Sequence, residues 1–544
     1  MAKSYSASDI KVLTDREHVR HRTAIYLGST EETTYEVPIF EDDNIKIKQK
    51  SFIPSLYKAF NEITDNAIDE LTQLRKKDKR ISVMHDTIRN YFKVCDNGRG
   101  VPIDLHPQTG KYTPETVFTE LRSGRNFDDD AKESGVIGTN GVGSSCVAMI
   151  SEEFNVQIKR DGKFYEQVFR DGTGEIDEPS INLINSKETG TCITYKIDTS
   201  LKQFKTTKLD PELIQNRVVE IALNNPELNM SYSRKELDDD GEEVQISKQY
   251  QFKGGMAEYV KKVSERNYEF KIETDEFKAH YYVILDKYQG LDEKIFAYVN
   301  SSLLFEGGTA VTMFFNSFNS AVIDGLKKET RKRKIELNKN DIKQNLLVLA
   351  DIKMKNPRYD NQSKTRLISQ EIKKYLDKMV QAGISKFLSQ HKEWVNEIMD
   401  RAEFRQKIAD MAEVKKKQKK KKGKLAKLID AYTKDRSVAS IAFSEGDCLL
   451  ETTNVKTGHG FIPIKDLKEG DRVKTHDGSY KPVVVNEHVM KEKWVIEMES
   501  GEIVCSENHK HPVFDLDAGC VIVVETHQLD PKKHKLLQRR KSAH

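Results

Sequence analysis

Residues 51–77, SFIPSLYKAFNEITDNAIDELTQLRKK, impose the tightest constraint on this chain. Phe52, Leu56, Phe60, Ile63, Ala67 and Leu71 recur at spacings of three and four, which predicts a helix with one apolar face that must be buried against another layer. The same helix carries Glu62, Asn66 and Asp69 at i, i+4 and i+7, on one face, with Asp65 beside them. A carboxylate and an amide one turn apart suit two tasks. Glu62 can polarise a water as a general base, and Asn66 can offer an oxygen to a Mg²⁺ that bridges phosphates. Taken alone, an ordinary polar helix face explains these residues equally well.

Two further constellations follow in order. Asp96-Asn97-Gly98-Arg99-Gly100 closes a strand. An aspartate at a strand end can accept a hydrogen bond from an exocyclic amine, and glycines let backbone approach a flat ring closely. A plain turn is the alternative. Gly135-Val-Ile-Gly138-Thr-Asn140-Gly141-Val142-Gly143-Ser-Ser then precedes an apolar helix, CVAMI. Spaced glycines at a helix N-terminus expose N–H groups that cradle phosphate. No Gly-Lys-Ser/Thr follows, so this is not a Walker A loop.

At 544 residues the chain is too long for one core, and roughly three or four domains are expected. Hydrophobic residues make up 37% and charged residues 32%, a soluble composition with high charge. No apolar run approaches the roughly 20 residues that span a bilayer, and the N-terminus lacks a secretory h-region. The cytoplasm is expected, or a host cell's cytoplasm if the chain is phage-encoded. Six cysteines (95, 146, 192, 448, 505, 520) are too sparse for a disulfide framework, and most read as small buried hydrophobes.

ISVMHD and YFKVCD read as a hairpin, residues 122–143 as a long mobile loop, and 153–172 and 191–197 as further strands. KELDDDGEE reads as an exposed hairpin turn, and a second αβ unit runs from about 251 to 394. A charged helix then leads to nine lysines within Val414–Lys427. Those form either a solvated helix or linker face or a segment that contacts DNA phosphates. SVASIAFSEGD is strand-like, and beyond Cys448 the texture is all-β.

In this order and spacing the three constellations resemble the Bergerat fold of the GHKL ATPases. The resemblance implies ATP and Mg²⁺ as cofactors, Glu62 as catalytic base, Asn66 as magnesium ligand and Asp96 as adenine partner. It implies Gly98 and Gly100 near the ring, and Gly138, Asn140, Gly141, Val142 and Gly143 as the phosphate lid. Thr191, in GTCIT, matches the threonine that supports the adenine aspartate.

Four segments resemble the type II DNA topoisomerase branch: LTDREHVRHRTAIYLGST, YVNSSLLFEGGTAVTMF, NPRYDNQSKTRL and GKLAKLIDAYTKDRSVASIAFSEGD. The third is similar to the Gln-Thr-Lys loop of the transducer domain, with Ser363 in place of threonine. It implies that Gln362 and Lys364 reach the γ-phosphate, with Lys364 acting in catalysis. The fourth is similar to the entry of the TOPRIM domain, and it implies Glu445 as a ligand to the Mg²⁺ used in DNA cleavage. The later carboxylates of TOPRIM and the cleavage tyrosine are absent. Double-stranded DNA, a homodimer through the ATPase domain and a separate cleavage subunit carrying the tyrosine are the implied partners. The arrangement is similar to the large topoisomerase subunit of T-even-like bacteriophages.

After Glu445-Gly-Asp the chain continues with Cys448-Leu-Leu-Glu-Thr-Thr, then IKDLKEGDRVKTHDGSY and GEIVCSENHKHPVF. These resemble the N-terminal blocks of inteins, the HINT fold. The resemblance implies Cys448 as splicing nucleophile, His509 as the proton donor to the departing nitrogen, and Ser506 in place of a threonine. No terminal His-Asn is present, so the segment is similar to the N-half of a split intein, and a C-terminal intein half carrying the rest of TOPRIM is an expected partner.

The expected fold is α+β multidomain. It comprises a GHKL ATPase sandwich (1–235), an αβ transducer domain (236–395), a lysine-rich helix or linker (396–430), a truncated TOPRIM start (431–447) and an all-β HINT-like fragment (448–544). The expected activity is ATP-driven dimer closure around a transported duplex. A MutL-like DNA clamp without strand passage and an inactive remnant are the competing readings.

Overall fold

The computed structural model describes residues 9–123, 141–421 and a set of short stretches between 454 and 536. The chain divides into two compact units, 1–421 and 422–544. Gly138, Asn140, Glu445, Cys448, Ser506 and His509 lie outside the described residues, as do most of the expected loop at 122–143, the strand-like SVASIAFSEGD and the lysine run beyond 421.

The first unit opens with two short helices, α1 (Asp15–His21) and α2 (Thr23–Leu27), and a hairpin of β1 (Thr33–Phe40) and β2 (Ile45–Phe52). The long helix α3 spans Pro54–Thr72. It is shorter than the apolar spacing predicts. Ser51 and Phe52 finish β2, Ile53 is extended, and Pro54 sits in the first turn, where its missing N–H costs nothing.

Next come β3 (Lys79–Asp86), β4 (Tyr91–Asp96), α4 (Thr113–Thr119), α5 (Gly143–Met149), β5 (Ser151–Arg160), β6 (Lys163–Arg170), β7 (Glu175–Ile176), β8 (Ser180–Leu183) and β9 (Gly190–Ile197). Helix α6 (Pro211–Asn224) and the hairpin β10 (Leu228–Leu237) and β11 (Glu243–Tyr250) complete this part. Nine strands make one sheet in the order β11-β10-β3-β4-β9-β5-β6-β7, with β8 on β6, and only β10–β3 is parallel. Alternate residues such as Val94, Val156, Ile158, Ile193 and Tyr195 point to one face, where α3, α5 and α6 close a single core. The boundary expected at 235–236 falls inside β10. The sheet runs on to Tyr250, because β11 pairs with β10 from Met230 to Leu237.

Beyond it lie α7 (Gly255–Val263), β12 (Asn267–Glu273), β13 (Phe277–Ile284), β14 (Lys294–Val299), β15 (Ser302–Leu303), β16 (Gly307–Gly308), α8 (Thr309–Gly325), α9 (Lys327–Arg333), α10 (Lys339–Lys343), β17 (Leu347–Met354), β18 (Arg366–Leu367), α11 (Lys373–Gln390) and α12 (Lys392–Lys421). The second sheet has the order β12-β13-β17-β14-β15. Its strands β13, β14 and β17 are buried on both faces, which explains their apolar runs. Tyr281, Val283, Ala297, Val299, Val348 and Ala350 pack with α8 and α11. Their neighbours Tyr282, Ile284, Phe296, Tyr298, Leu347 and Leu349 pack with α7, with Val37, Ile39 and Phe40 of β1, and with Val219 and Leu223 of α6. That shared cluster joins the two sheets. Trp394, Ile398 and Ala402 root α12 in the second core. Arg405 also clamps α12 to Asp341 through two hydrogen bonds of 2.9 Å.

The described part of 422–544 holds strands, turns and two short 3-10 segments. Its sheets are four-, two- and three-stranded, and every strand pair is antiparallel. No helix among the described residues is long and apolar enough to cross a membrane.

Candidate nucleotide site

A cavity of about 970 Å³ opens between α3, the ends of β4 and β9, and the start of α5. Among the expected site residues, Glu62, Asn66, Asp96, Gly100, Gly141, Val142, Gly143, Thr191, Gln362 and Lys364 all line it. They come from positions as far apart as 62 and 364, and the fold gathers them into one space.

One end is made by strands. Asp96, the last residue of β4, accepts the Gly98 N–H at 2.7 Å. Burial, with the Glu70 carboxylate adding to it, pushes the Asp96 carboxyl up to about 6, against the backbone hydrogen bonds that lower it. Thr191 Oγ1 accepts the Val101 N–H at 3.2 Å, which ties the loop after β4 to β9. The close strand approach requires glycine at 190, where a Cβ would stand 2.1 Å from the Asp96 carbonyl oxygen. Gly98 does not line the cavity as expected. Its N–H is turned onto Asp96, and a Cβ there would meet Glu70 at 2.4 Å, so it shapes the turn that holds the aspartate.

The other end is made by charges. Lys58, one turn before Glu62 on α3, is buried and forms an ion pair with it. Burial pushes the Glu62 carboxyl up, but the ammonium groups of Lys58 and Lys364 outweigh it and hold the carboxyl below its ordinary value. Lys364 has left-handed backbone, φ 59°, in the loop before β18. Burial and the nearby Lys58 lower its pKa, while Glu62, Asp65 and Asp69 oppose that shift. Gly143, at the start of α5, comes so close that a Cβ would stand 1.8 Å from Glu62 Oε2. Asn66 donates to Ser144 Oγ at 2.5 Å, also in the first turn of α5. This end therefore concentrates a carboxylate, two lysines, an amide and backbone at a helix N-terminus.

Residues 53–201 match the family of histidine kinase-, DNA gyrase B- and HSP90-like ATPases, and residues 255–421 match the DNA gyrase B family. The B subunit of a DNA topoisomerase 4 from Mycoplasma capricolum is 30% identical over 506 residues, covering 90% of this chain and 72% of the relative. The chain belongs to the type II DNA topoisomerase B-subunit family. The B subunit of a type 2 topoisomerase from Aquifex aeolicus is 29% identical over 464 residues, 82% of this chain, and this chain spans 53% of its length. The ATPase and transducer domains of a DNA topoisomerase II from Balamuthia mandrillaris share the fold with a TM-score of 0.57 at 24% identity, covering 74% of this chain and 100% of that one. The topoisomerase II ATPase and transducer-like architecture is thus present.

Members of this B-subunit family carry an ATPase part, and the cavity has the shape and chemistry for one. Mg²⁺ typically takes one or two protein oxygens and completes its shell with phosphates and water. A single amide at Asn66 beside the carboxylates Glu62 and Asp69 fits that need, since both carboxylates border the same cavity.

Three features of the site are not announced by residue spacing. Lys58 lies four residues before Glu62 on the same helix, and its sequence alone does not distinguish it from a surface lysine until the fold buries it. Glu70 takes the Arg99 side chain at 2.8 and 2.9 Å and the Arg99 N–H at 2.9 Å, bracing the loop after Asp96. Cys95 and Cys192 are bonded to each other, which corrects the reading of these two as isolated buried thiols. They face each other across β4 and β9 while lying 97 residues apart in sequence, so no local spacing announces them. Cys146 is buried and free as expected.

Proposed function

We propose that this chain is the ATP-hydrolysing part of a type II DNA topoisomerase, with the triphosphate held between α3, α5 and the Gln362–Lys364 loop. The observation that carries this is the meeting of Glu62, Lys364 and Gly143 at one end of the cavity that Asp96 and Thr191 line at the other. Asp96 accepts the adenine amine, with Thr191 supporting the loop beside it. Asn66 would hold Mg²⁺, which when bound would neutralise phosphate charge. Gly141, Val142 and Gly143 present N–H groups to phosphate, with Gly138 and Asn140 extending the lid. Gln362 and Lys364 contact the γ-phosphate, and Lys364 stabilises the charge that develops there. Glu62, kept ionised by Lys58 and Lys364, takes a proton from the attacking water.

ATP binding then closes a homodimer around a duplex, and a separate subunit supplies the cleavage tyrosine. Glu445 belongs to a TOPRIM domain whose remainder arrives by splicing. Residues from Cys448 form the N-half of a split intein, with Cys448 attacking the Asp447 carbonyl, His509 protonating the departing amide and Ser506 supplying the hydrogen bond of the usual threonine. The all-β character of the described residues beyond 454 supports that reading. A T-even-like phage source suits the separation of the ATPase and cleavage parts.

The test of the enzyme is ATP turnover by the full chain. Glu62→Ala is expected to lower kcat by roughly 10²- to 10⁴-fold with nucleotide binding retained; unchanged turnover rejects the assignment. The test of splicing is intact mass after mixing with the C-terminal intein half, where absence of a ligated product rejects it.

A further inference from the structure

Arg217 lies outside both stretches matched by the ATPase and gyrase families, 53–201 and 255–421. Its side chain is 1% exposed, at the centre of the joint between the two sheets. Three of its nitrogens serve two structural elements. Nε donates to Asn61 Oδ1 at 2.9 Å and Nη2 to Asp65 Oδ1 at 3.2 Å, both on α3. Nη1 donates to the backbone carbonyl of Ser301 at 2.5 Å, in the turn between β14 and β15 of the second sheet. Asn300 and Ser301 both have left-handed backbone there, φ 47° and 69°, so the turn aims that carbonyl inward by a defined local shape.

The surroundings hold this guanidinium in place from every side. Glu220, one turn further along α6, lies 3.7 Å from Nη1 and accepts from Tyr298 of β14 at 3.0 Å. Asn225 and Lys353 both donate to Ser301 Oγ, at 3.0 and 2.8 Å. Asn61 and Asp65 each precede a proposed site residue, Glu62 and Asn66, by one position. Because α3 is a rigid rod at this scale, moving the face gripped by Arg217 moves the face that holds water and metal. A second cavity of about 30 Å³ borders Lys58, Asp65, Arg217 and Lys364, so the joint and the charged end of the nucleotide site are adjacent.

We propose that Arg217 is a positioning residue for ATP turnover, a buried guanidinium that locks the Asn300–Ser301 turn of the transducer-like part to the back of the helix carrying Glu62 and Asn66. It rests on the reading of Glu62 as the hydrolytic base. The alignment of Glu62 with its water then depends on where the second sheet sits, and Lys364 is carried by the same part of the chain. A planar fork with donors on three nitrogens can make these contacts at once, whereas a lysine has one ammonium and cannot span them. Burying an arginine is costly unless its charge is compensated; here each of its three nitrogens donates one hydrogen bond, and the Asp65 and Glu220 carboxyls lie within 4 Å.

The experiment uses the full chain, with turnover and binding of a non-hydrolysable ATP analogue measured on wild type, Glu62→Ala, Arg217→Lys and Asn61→Ala. Arg217→Lys is expected to lower kcat roughly 10- to 100-fold, as a misplacement near 1 Å does, while analogue affinity stays within about threefold because no nucleotide contact is removed. Asn61→Ala, which deletes one acceptor and leaves the charge paired with Asp65, is expected to lower kcat about threefold with analogue affinity retained and a small fall in melting temperature, because the buried Nε–H loses its partner. A folded Arg217→Lys with wild-type kcat overturns the proposal while Glu62-dependent turnover leaves the ATPase reading standing. Equal losses in kcat and affinity, in step with a lowered melting temperature, overturn it as well. If Arg217→Lys does not fold, Asn61→Ala decides: wild-type kcat there overturns the proposal. Turnover that survives Glu62→Ala removes the ATPase reading and this one together.

Discussion

The two ends of the nucleotide cavity are built on different principles. The strand end comes from one sheet, through backbone ladders and the buried Asp96 carboxyl, which burial and the neighbouring Glu70 carboxylate push up. The phosphate end draws on both halves of the first unit and on coupled charges, with Lys58 and Glu62 on α3 and Lys364 on the loop before β18. A site made by one rigid sheet exists before ligand arrives, and it suits recognition. A site assembled from two layers is complete only when those layers are aligned, and it suits control of the chemical step. Affinity for the base and turnover of the triphosphate should therefore respond to different substitutions.

The comparison breaks most readily at Asp96. Asp96→Asn replaces a charged acceptor by a neutral one, and ATP affinity is expected to fall roughly 10- to 100-fold, the worth of a charge-assisted hydrogen bond. A titration should show kcat at saturation changed far less. The carboxyl, raised to about 6, accepts the amine more strongly when ionised than when protonated. Wild-type affinity should thus be full above pH 7, weaken as pH falls through about 6, and the Asn variant should not follow that curve. A pH-independent wild-type affinity between pH 5 and 7 would contradict the role given to Asp96.

A smaller effect is expected from Lys58→Met at the other end. The lysine opposes burial in holding the Glu62 carboxyl low. Without it burial dominates, the carboxyl pKa rises, and the acid limb of the kcat profile moves to higher pH. On that limb, each whole pH step of displacement costs about tenfold in the ionised fraction. Turnover should be lost mainly at low pH and recover toward high pH, while a uniform loss at every pH would assign Lys58 to the scaffold alone.

The smallest effect on the ligand is expected from the Cys95–Cys192 bond. It links strands already zipped by the β4–β9 ladder, so reduction should leave ATP affinity within about threefold while lowering the melting temperature by roughly 5 °C, since the bond closes a long loop. A tenfold loss of affinity on reduction would show that the strand end is less rigid than the comparison requires.

The strand end was the more legible in sequence. Asp96 sits in a short local pattern, since a strand followed by Asp-Asn-Gly needs no distant information, whereas Thr191 was reached through the resemblance of GTCIT. The helix face at Glu62 and Asn66 was legible for the same reason, from spacing alone. Lys364 was reached only through the family-like context of its loop, because nothing local distinguishes it from a surface lysine. Lys58, Glu70 and Arg217 were not legible. Each is an ordinary charged residue until the fold buries it, and burial arises from elements up to about 150 positions away, as with Arg217 and Asp65, whose separation is 152. The pairing of Cys95 with Cys192 was hidden by the same distance, since register between remote strands is a tertiary outcome, whereas the β10–β11 hairpin was legible in its turn, KELDDDGEE. In the five-stranded sheet the sequence showed only an αβ unit from about 251 to 394; its strands β13, β14 and β17 lack clean alternation because both of their faces are buried.

The most direct test compares ADP with a non-hydrolysable ATP analogue, titrated into wild type and Lys364→Ala. The account predicts that ADP binds both proteins alike, while the analogue loses in the variant whatever affinity its γ-phosphate contributes. Equal weakening of the two nucleotides, or of neither, would contradict a phosphate end assembled from two layers.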